Sequence, residues 1–95
     1  MKITKEFIMR NLMDEYILIP TGKTAEEFNG MITLTETAAF IYNHIEKVSS
    51  LEELLDLMSE EYKEDRETMR EDTIHFINHM LVNKMIAFTE KDKGW

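Results

Sequence analysis

The sequence predicts an α+β domain of the winged helix-turn-helix type, with a three-stranded antiparallel sheet followed by a three-helix bundle. Three observations predict this class. Short apolar runs rich in aromatic and β-branched residues fill the first third of the chain, which favours strands. From Thr35 onward the apolar residues recur at helical spacing. The 95 residues suffice for one hydrophobic core, so we expect residues 1–95 to form a single domain.

Strands are predicted at residues 6–13, 16–20 and 31–34. The first two flank a polar turn at Asp14-Glu15, which lacks the glycine that tight hairpins prefer, so the turn type stays open. Pro20 cannot donate a hydrogen bond to a strand ladder and therefore ends the second strand. Residues 21–30 are predicted to form a loop before the third strand.

Helices are predicted at residues 36–48, 51–62 and 66–83. Thr35 can cap the first helix, because a threonine hydroxyl accepts from the free backbone donors of a helix start. Ser50 and Glu53 form a capping box at the second helix. Asp65 is the expected cap of the third. A short final strand is expected around Ile86. Residues 89–95 form the tail, of which Lys91 to Trp95 are predicted to fray.

The charge balance excludes several classes of partner. The chain has 11 lysines and arginines against 19 aspartates and glutamates, a net charge of −8. We therefore expect no nucleic acid partner, because binding to phosphates requires a basic face, and no docking on an anionic membrane. The absence of cysteine excludes a thiolate nucleophile and a disulfide scaffold. No apolar run is long enough to span a bilayer and no signal peptide is apparent, so the expected location is cytoplasmic.

Three local patterns resemble chemical sites only in part. His75 and His79 are spaced to share a metal ion, but two ligands make a weak site and the glutamate of a His-Glu-x-x-His motif is missing. Residues 52–72 carry ten acids and no glycine, which fits a solvated helix surface better than a calcium loop. Residues 21–24 lack the preceding glycine of a phosphate loop. We therefore expect no enzyme, no catalytic residue, no bound metal and no cofactor.

One apolar pattern remains unexplained by a simple core. Ile74, Ile77 and Leu81 form a second apolar stripe on the third predicted helix. Packing of this helix on two sides is one explanation. The other is a groove beside the third strand, at Met31–Leu34, which is a sheet edge if the strands form a meander. An uncovered edge offers unpaired backbone groups to an extended peptide.

Four segments carry a resemblance to a known family: YILIP at residues 16–20, FNGMITLTETAAFI at 28–41, SLEEL at 50–54 and REDTIHFI at 70–77. In their order and spacing they resemble the PqqD family, named for coenzyme PQQ synthesis protein D and also called RiPP precursor peptide recognition elements. The likeness extends over nearly the whole chain. Such sequences commonly have glycine in the first hairpin turn and after the third helix, where this chain has Asp14-Glu15 and Lys84.

The resemblance implies a non-catalytic peptide chaperone. Members of the family bind the leader of a ribosomally synthesised precursor peptide as an added strand and present it to a modifying enzyme, often a radical SAM maturase. The residues implied in peptide binding are Phe28, Met31, Ile32, Thr33, Leu34, Ile74, Ile77 and Leu81. Met31 to Leu34 would supply the backbone edge and the last three the side-chain wall, with Phe28 closing one end.

Two alternatives stay open. A winged-helix transcriptional regulator would place its third helix in DNA, but Glu71, Asp72 and Asn78 occupy the expected exposed face where lysines and arginines are needed. A small metal enzyme would depend on His75 and His79. An exposed edge strand can also pair with its own copy, so a homodimer through this edge is a further expectation.

Overall fold

The structure, a computed structural model, describes all of residues 1–95. Its elements in chain order are β1 (Lys2–Ile3), β2 (Phe7–Leu12), β3 (Glu15–Pro20), α1 (Gly22–Glu27), β4 (Ile32–Leu34), α2 (Glu36–His44), a 3₁₀ turn (Ile45–Lys47), α3 (Leu51–Tyr62), α4 (Arg66–Val82) and β5 (Ile86–Ala87). A three-stranded antiparallel sheet followed by three long helices confirms the predicted α+β class. None of the helices has both the length and the apolar character of a membrane span.

The main sheet has the strand order β2-β3-β4, with both pairs antiparallel. Tyr16 of β3 lies opposite Leu34 of β4, and Leu18 lies opposite Ile32. The sheet is therefore a meander, and β4 is an edge strand as the sequence predicts.

The β2–β3 turn is now defined. Leu12 and Glu15 are paired, so Met13 and Asp14 are the two central residues of the hairpin turn. Both have positive φ, 49° for Met13 and 71° for Asp14. Two left-handed central residues are the pattern of a type I′ turn, whose twist matches that of the flanking strands. The turn therefore forms without glycine, at the expense of placing a methionine in the left-handed region.

The predicted loop at residues 21–30 contains the short helix α1, which is a correction. The chain turns into this helix at Gly22, whose φ is +55°. Thr24 of α1 is buried, and its hydroxyl accepts a hydrogen bond from the Glu6 backbone N–H at 2.8 Å. This tertiary contact stabilises a helix in a segment whose local sequence predicts a loop.

The first predicted long helix is also shorter than expected. Helix α2 ends at His44 and continues to residue 47 as a 3₁₀ turn, a common way for a helix to tighten at its end. The caps are as expected at two helices: the Thr35 hydroxyl accepts from the Ala38 N–H and the Ser50 hydroxyl from the Glu53 N–H. Asp65 begins α4 without a side-chain cap hydrogen bond.

The C-terminal tail is ordered, which corrects the prediction that Lys91 to Trp95 fray. The Lys93 N–H donates to the Ser49 carbonyl at 2.7 Å, and the Leu51 N–H donates to the Gly94 carbonyl at 2.8 Å. The indole of Trp95 donates to Asp92 at 2.8 Å. The tail thus satisfies backbone groups where α3 begins. The predicted final strand is β5, which pairs antiparallel with β1 in a separate two-stranded sheet.

The hydrophobic core joins the sheet to the helices. Its most deeply buried large side chains come from β3, the 3₁₀ turn, α3, α4 and the segment after α4: Leu18, Ile45, Leu54, Leu55, Met58, Met80 and Met85. Met69 is also buried, so most of the methionines in the helical part fill the core, as their flexible side chains allow. Met31 is the exception beside β4, with 64% of its surface exposed.

Candidate functional site

A cavity of about 650 Å³ is bounded by β4, α2 and α4. We call it the β4–α4 groove. Its apolar lining consists of Ile32, Leu34, Ala38, Ile41, Met58, Met69, Phe76 and Met85. Its polar lining consists of five threonines, Tyr62, Glu64, Asp72, His75 and His79.

One wall of the groove is the free edge of the sheet. No strand of the chain pairs with β4 on the side away from β3, so its outward N–H and C=O groups lack strand partners. Side chains alternate along this strand: Thr33 is exposed, whereas Leu34 is buried. Ile32 is half-buried. The edge therefore presents unpaired backbone groups beside the apolar side chains of the cavity.

The opposite wall is one face of α4. Met69, Asp72, Thr73, Phe76 and His79 line the groove and recur at the three- and four-residue spacing of a helix face. Met69 and Thr73 are buried, and Phe76 is half-buried. This face brings an aromatic ring and a thioether next to the unpaired strand.

The floor of the groove includes the buried side chains of Met58 and Thr73. The buried hydroxyl of Thr73 on α4 contacts the Sδ atom of Met58 on α3 at 3.5 Å, and a thioether is a weak acceptor. Methionine side chains at a binding surface adapt readily to different partners. The floor can therefore accommodate apolar side chains of varied shape.

The structure places the second apolar stripe elsewhere. Ile74, Ile77 and Leu81 lie on a different face of α4 and line a small cavity of about 70 Å³ with Phe88 and Trp95. Residues 74 and 76 differ by about 200° around a helix axis, so they cannot face the same groove. The expectation that this stripe forms the wall beside β4 is therefore corrected: the helix packs on two sides.

Phe28 also lies apart from the groove. Its ring packs edge-on against Phe7 of β2, with ring centroids 5.4 Å apart. Strand β2 is the edge of the sheet opposite β4. Of the residues expected to bind peptide, Ile32, Thr33 and Leu34 line the groove, and Met31 directly precedes them.

Phe76 could have been chosen from the sequence as a groove residue. Together with Met69 and Met80 it lies at core spacing along α4, and an apolar residue at that spacing is normally interpreted as a core residue. Its incomplete burial, which the sequence does not reveal, distinguishes it from Met80. His75 and His79 are exposed at the groove, and no cluster of three or more potential metal ligands is present.

Comparisons with known proteins agree with this geometry. A comparison with protein families matches residues 15–86 to coenzyme PQQ synthesis protein D (PqqD), a span that runs from β3 to β5. Among solved structures, the chain is similar to TbiB1 in complex with the TbiA(beta) leader peptide. The two are 22% identical, with a TM-score of 0.64 over 90% of this chain and 93% of that chain, which shows a shared fold. No curated protein matched the sequence.

Proposed function

The chain belongs to the PqqD family, and we propose that it binds the leader of a ribosomally synthesised precursor peptide in the β4–α4 groove. The observation that carries this proposal is the unpaired edge of β4 running beside a cavity with an apolar lining. The similar protein TbiB1 was solved with a leader peptide, which supports the same class of ligand here.

The leader adds to the sheet as a fourth strand. Met31 to Leu34 provide the backbone groups for this added strand. Ordering a peptide costs about 1–2 kcal/mol per residue, so backbone hydrogen bonds alone do not hold it. Alternate side chains of the leader therefore enter the cavity and pack against Met69 and Phe76 of α4.

The proposed wall replaces the one that the sequence suggested. Phe76 and Met69 take the role first given to Ile74, Ile77 and Leu81, because the former face the free edge of β4. Phe28 has no part in the groove, since its ring packs on β2.

The protein itself performs no reaction in this proposal. It holds the leader and presents it to a modifying enzyme, for which a radical SAM maturase is the type we propose. The exposed outer side of the bound leader, away from α4, would remain accessible to that enzyme.

An NMR titration tests the proposal. The probe is the leader of a precursor peptide encoded beside this protein, added to the ¹⁵N-labelled chain alone and with the adjacent modifying enzyme. We expect amide shifts concentrated at Met31–Leu34 and along the Met69–His79 part of α4. Shifts confined to other surfaces, or none in either experiment, would refute the groove. Sedimentation of the chain with and without the leader shows whether it forms a dimer that the peptide dissociates, as expected if β4 pairs with its own copy.

A further inference from the structure

We infer that the β4–α4 groove selects leader segments carrying a lysine or arginine beside their apolar anchors, because Glu64 and Asp72 line it and no lysine or arginine does. This inference rests on the proposed function and specifies the chemistry of the peptide that the groove binds. It assigns a specificity role to two carboxylates that the fold does not use.

Neither carboxylate has a partner within the chain. Glu64 follows α3, Asp72 lies in the first half of α4, and both are exposed. The side chain of neither forms a hydrogen bond or an ion pair. Some other acids of the same helices have partners. Glu52 and Glu67, for example, both pair with Arg70.

Two histidines, His75 and His79, are the only basic side chains in the lining of the groove. Its lining contains no lysine and no arginine. The two arginines of α4 are both engaged: Arg70 binds Glu52 at 2.7 Å and Glu67 at 2.7 Å, and Arg66 binds Glu52 and Asp56. A lysine or arginine of a bound peptide can therefore supply a permanent positive charge beside Glu64 and Asp72, which the lining of the groove lacks.

Peptide binding strengthens this attraction. An ion pair in open solvent contributes little, but a strand laid over the cavity removes water from the groove and lowers the local dielectric. The net charge of −8 favours the encounter of a cationic peptide and disfavours an acidic one. The apolar floor provides the anchoring, and the two carboxylates select among peptides that share the same anchors.

A display library provides the test without a known leader. Random peptides of about twelve residues, long enough to span an edge strand, are selected on the wild-type chain and on a Glu64→Gln/Asp72→Asn variant. A Glu60→Gln/Glu71→Gln variant is the matched control, because these two acids are also exposed and unpaired but do not line the groove. Thermal melts establish that all three chains are folded.

We expect wild type and control to enrich peptides with alternating apolar residues and a lysine or arginine. The groove variant should keep the apolar pattern and lose the cation. In a selected peptide, replacing the cation by glutamine should weaken binding to wild type about fivefold and leave binding to the groove variant unchanged. Equal enrichment of cations on all three chains, or none on wild type, would overturn the inference.

A separate result identifies failure of the proposed function. If selected peptides bind a Phe76→Ala variant as tightly as wild type, or if no peptide is selected, the groove is not a peptide site and both proposals fall. If Phe76→Ala weakens binding of the selected apolar peptides but those peptides show no enrichment of lysine or arginine, only the charge selection is refuted.

Discussion

Ile32 of β4 pairs with Leu18 of β3, and no strand lies on its other side. Leu18 is fully buried, so β4 is fixed to the core through β3 while its outer edge stays free. Ile32 also lines the β4–α4 groove. A peptide that pairs with this edge is thereby positioned along a preformed apolar surface, which reduces the ordering required of the protein.

Two residues on different faces of α4 distinguish the groove from the other side of the helix. Phe76→Ala should weaken leader binding about tenfold, equivalent to about 1.4 kcal/mol, because the ring is part of the groove wall. Ile74→Ala is the control: this residue is 38% exposed and lines the other cavity. Calorimetric titration compares the two. A larger loss in Ile74→Ala would place the peptide on the face that the sequence first suggested.

Trp95 gives an independent optical test of the same assignment. It is the single tryptophan, and it lines the small cavity with Ile74 and Leu81 rather than the groove. Binding of a tryptophan-free leader should therefore leave the emission maximum of Trp95 unchanged at saturation. A shift of the emission with the same midpoint as binding would indicate that the peptide covers the Trp95 side.

The hairpin turn contains removable strain. Met13→Asn with Asp14→Gly should raise the free energy of unfolding by about 1 kcal/mol, because these residues suit a turn with two positive φ angles. Gly30→Ala is the opposite control. The φ of Gly30 is +93° and an added Cβ would meet nothing within 4 Å. The free energy of unfolding should therefore fall by about 1 kcal/mol in this variant, through backbone strain alone. Urea unfolding measures both. An unchanged or lower stability in the turn variant would contradict the assigned turn.

The contact between α3 and α4 should respond to acid. Hydrogen bonding from Arg70 holds the pKa of Glu52 below its ordinary value of 4.5. The stabilisation of the folded state by the Glu52–Arg70 ion pair is therefore present above pH 4.5 and is lost as the pH falls through the lowered pKa of Glu52 in the folded state. Glu52→Gln should reduce the urea midpoint slightly at pH 7, and the difference from wild type should shrink in acid. Glu60→Gln, which removes an exposed acid without an ion pair, should show no such difference. A Glu52→Gln difference that persists unchanged in acid would refute the role of this ion pair.

Local sequence patterns predicted the elements that depend on short-range physics. Short apolar runs predicted β2, β3 and β4, and helical spacing predicted α3 and α4 nearly to their ends. Segments held by distant contacts were missed. Helix α1 depends on the bond from Glu6 to Thr24, and the ordered tail depends on hydrogen bonds to Ser49 and Leu51. Neither partner is close in sequence, so no window along the chain reveals the pairing.

The candidate site was predicted in part for the same reason. The edge strand followed from strand order, which a meander determines. The helical wall of the groove could not be predicted in this way, because α4 has apolar residues on two faces and the sequence does not show which face meets β4. Ile74, Ile77 and Leu81 were assigned to the groove because they were left over after the core, but their cavity lies beside Phe88 and Trp95.

The most direct test of strand addition is a search for cross-strand nuclear Overhauser effects in the complex of the labelled chain with the leader. We expect contacts between backbone protons of the leader and those of Met31–Leu34, together with contacts from leader side chains to the Phe76 ring. Contacts to Ile74, Leu81 or Phe88 without any to β4 would contradict strand addition in the β4–α4 groove.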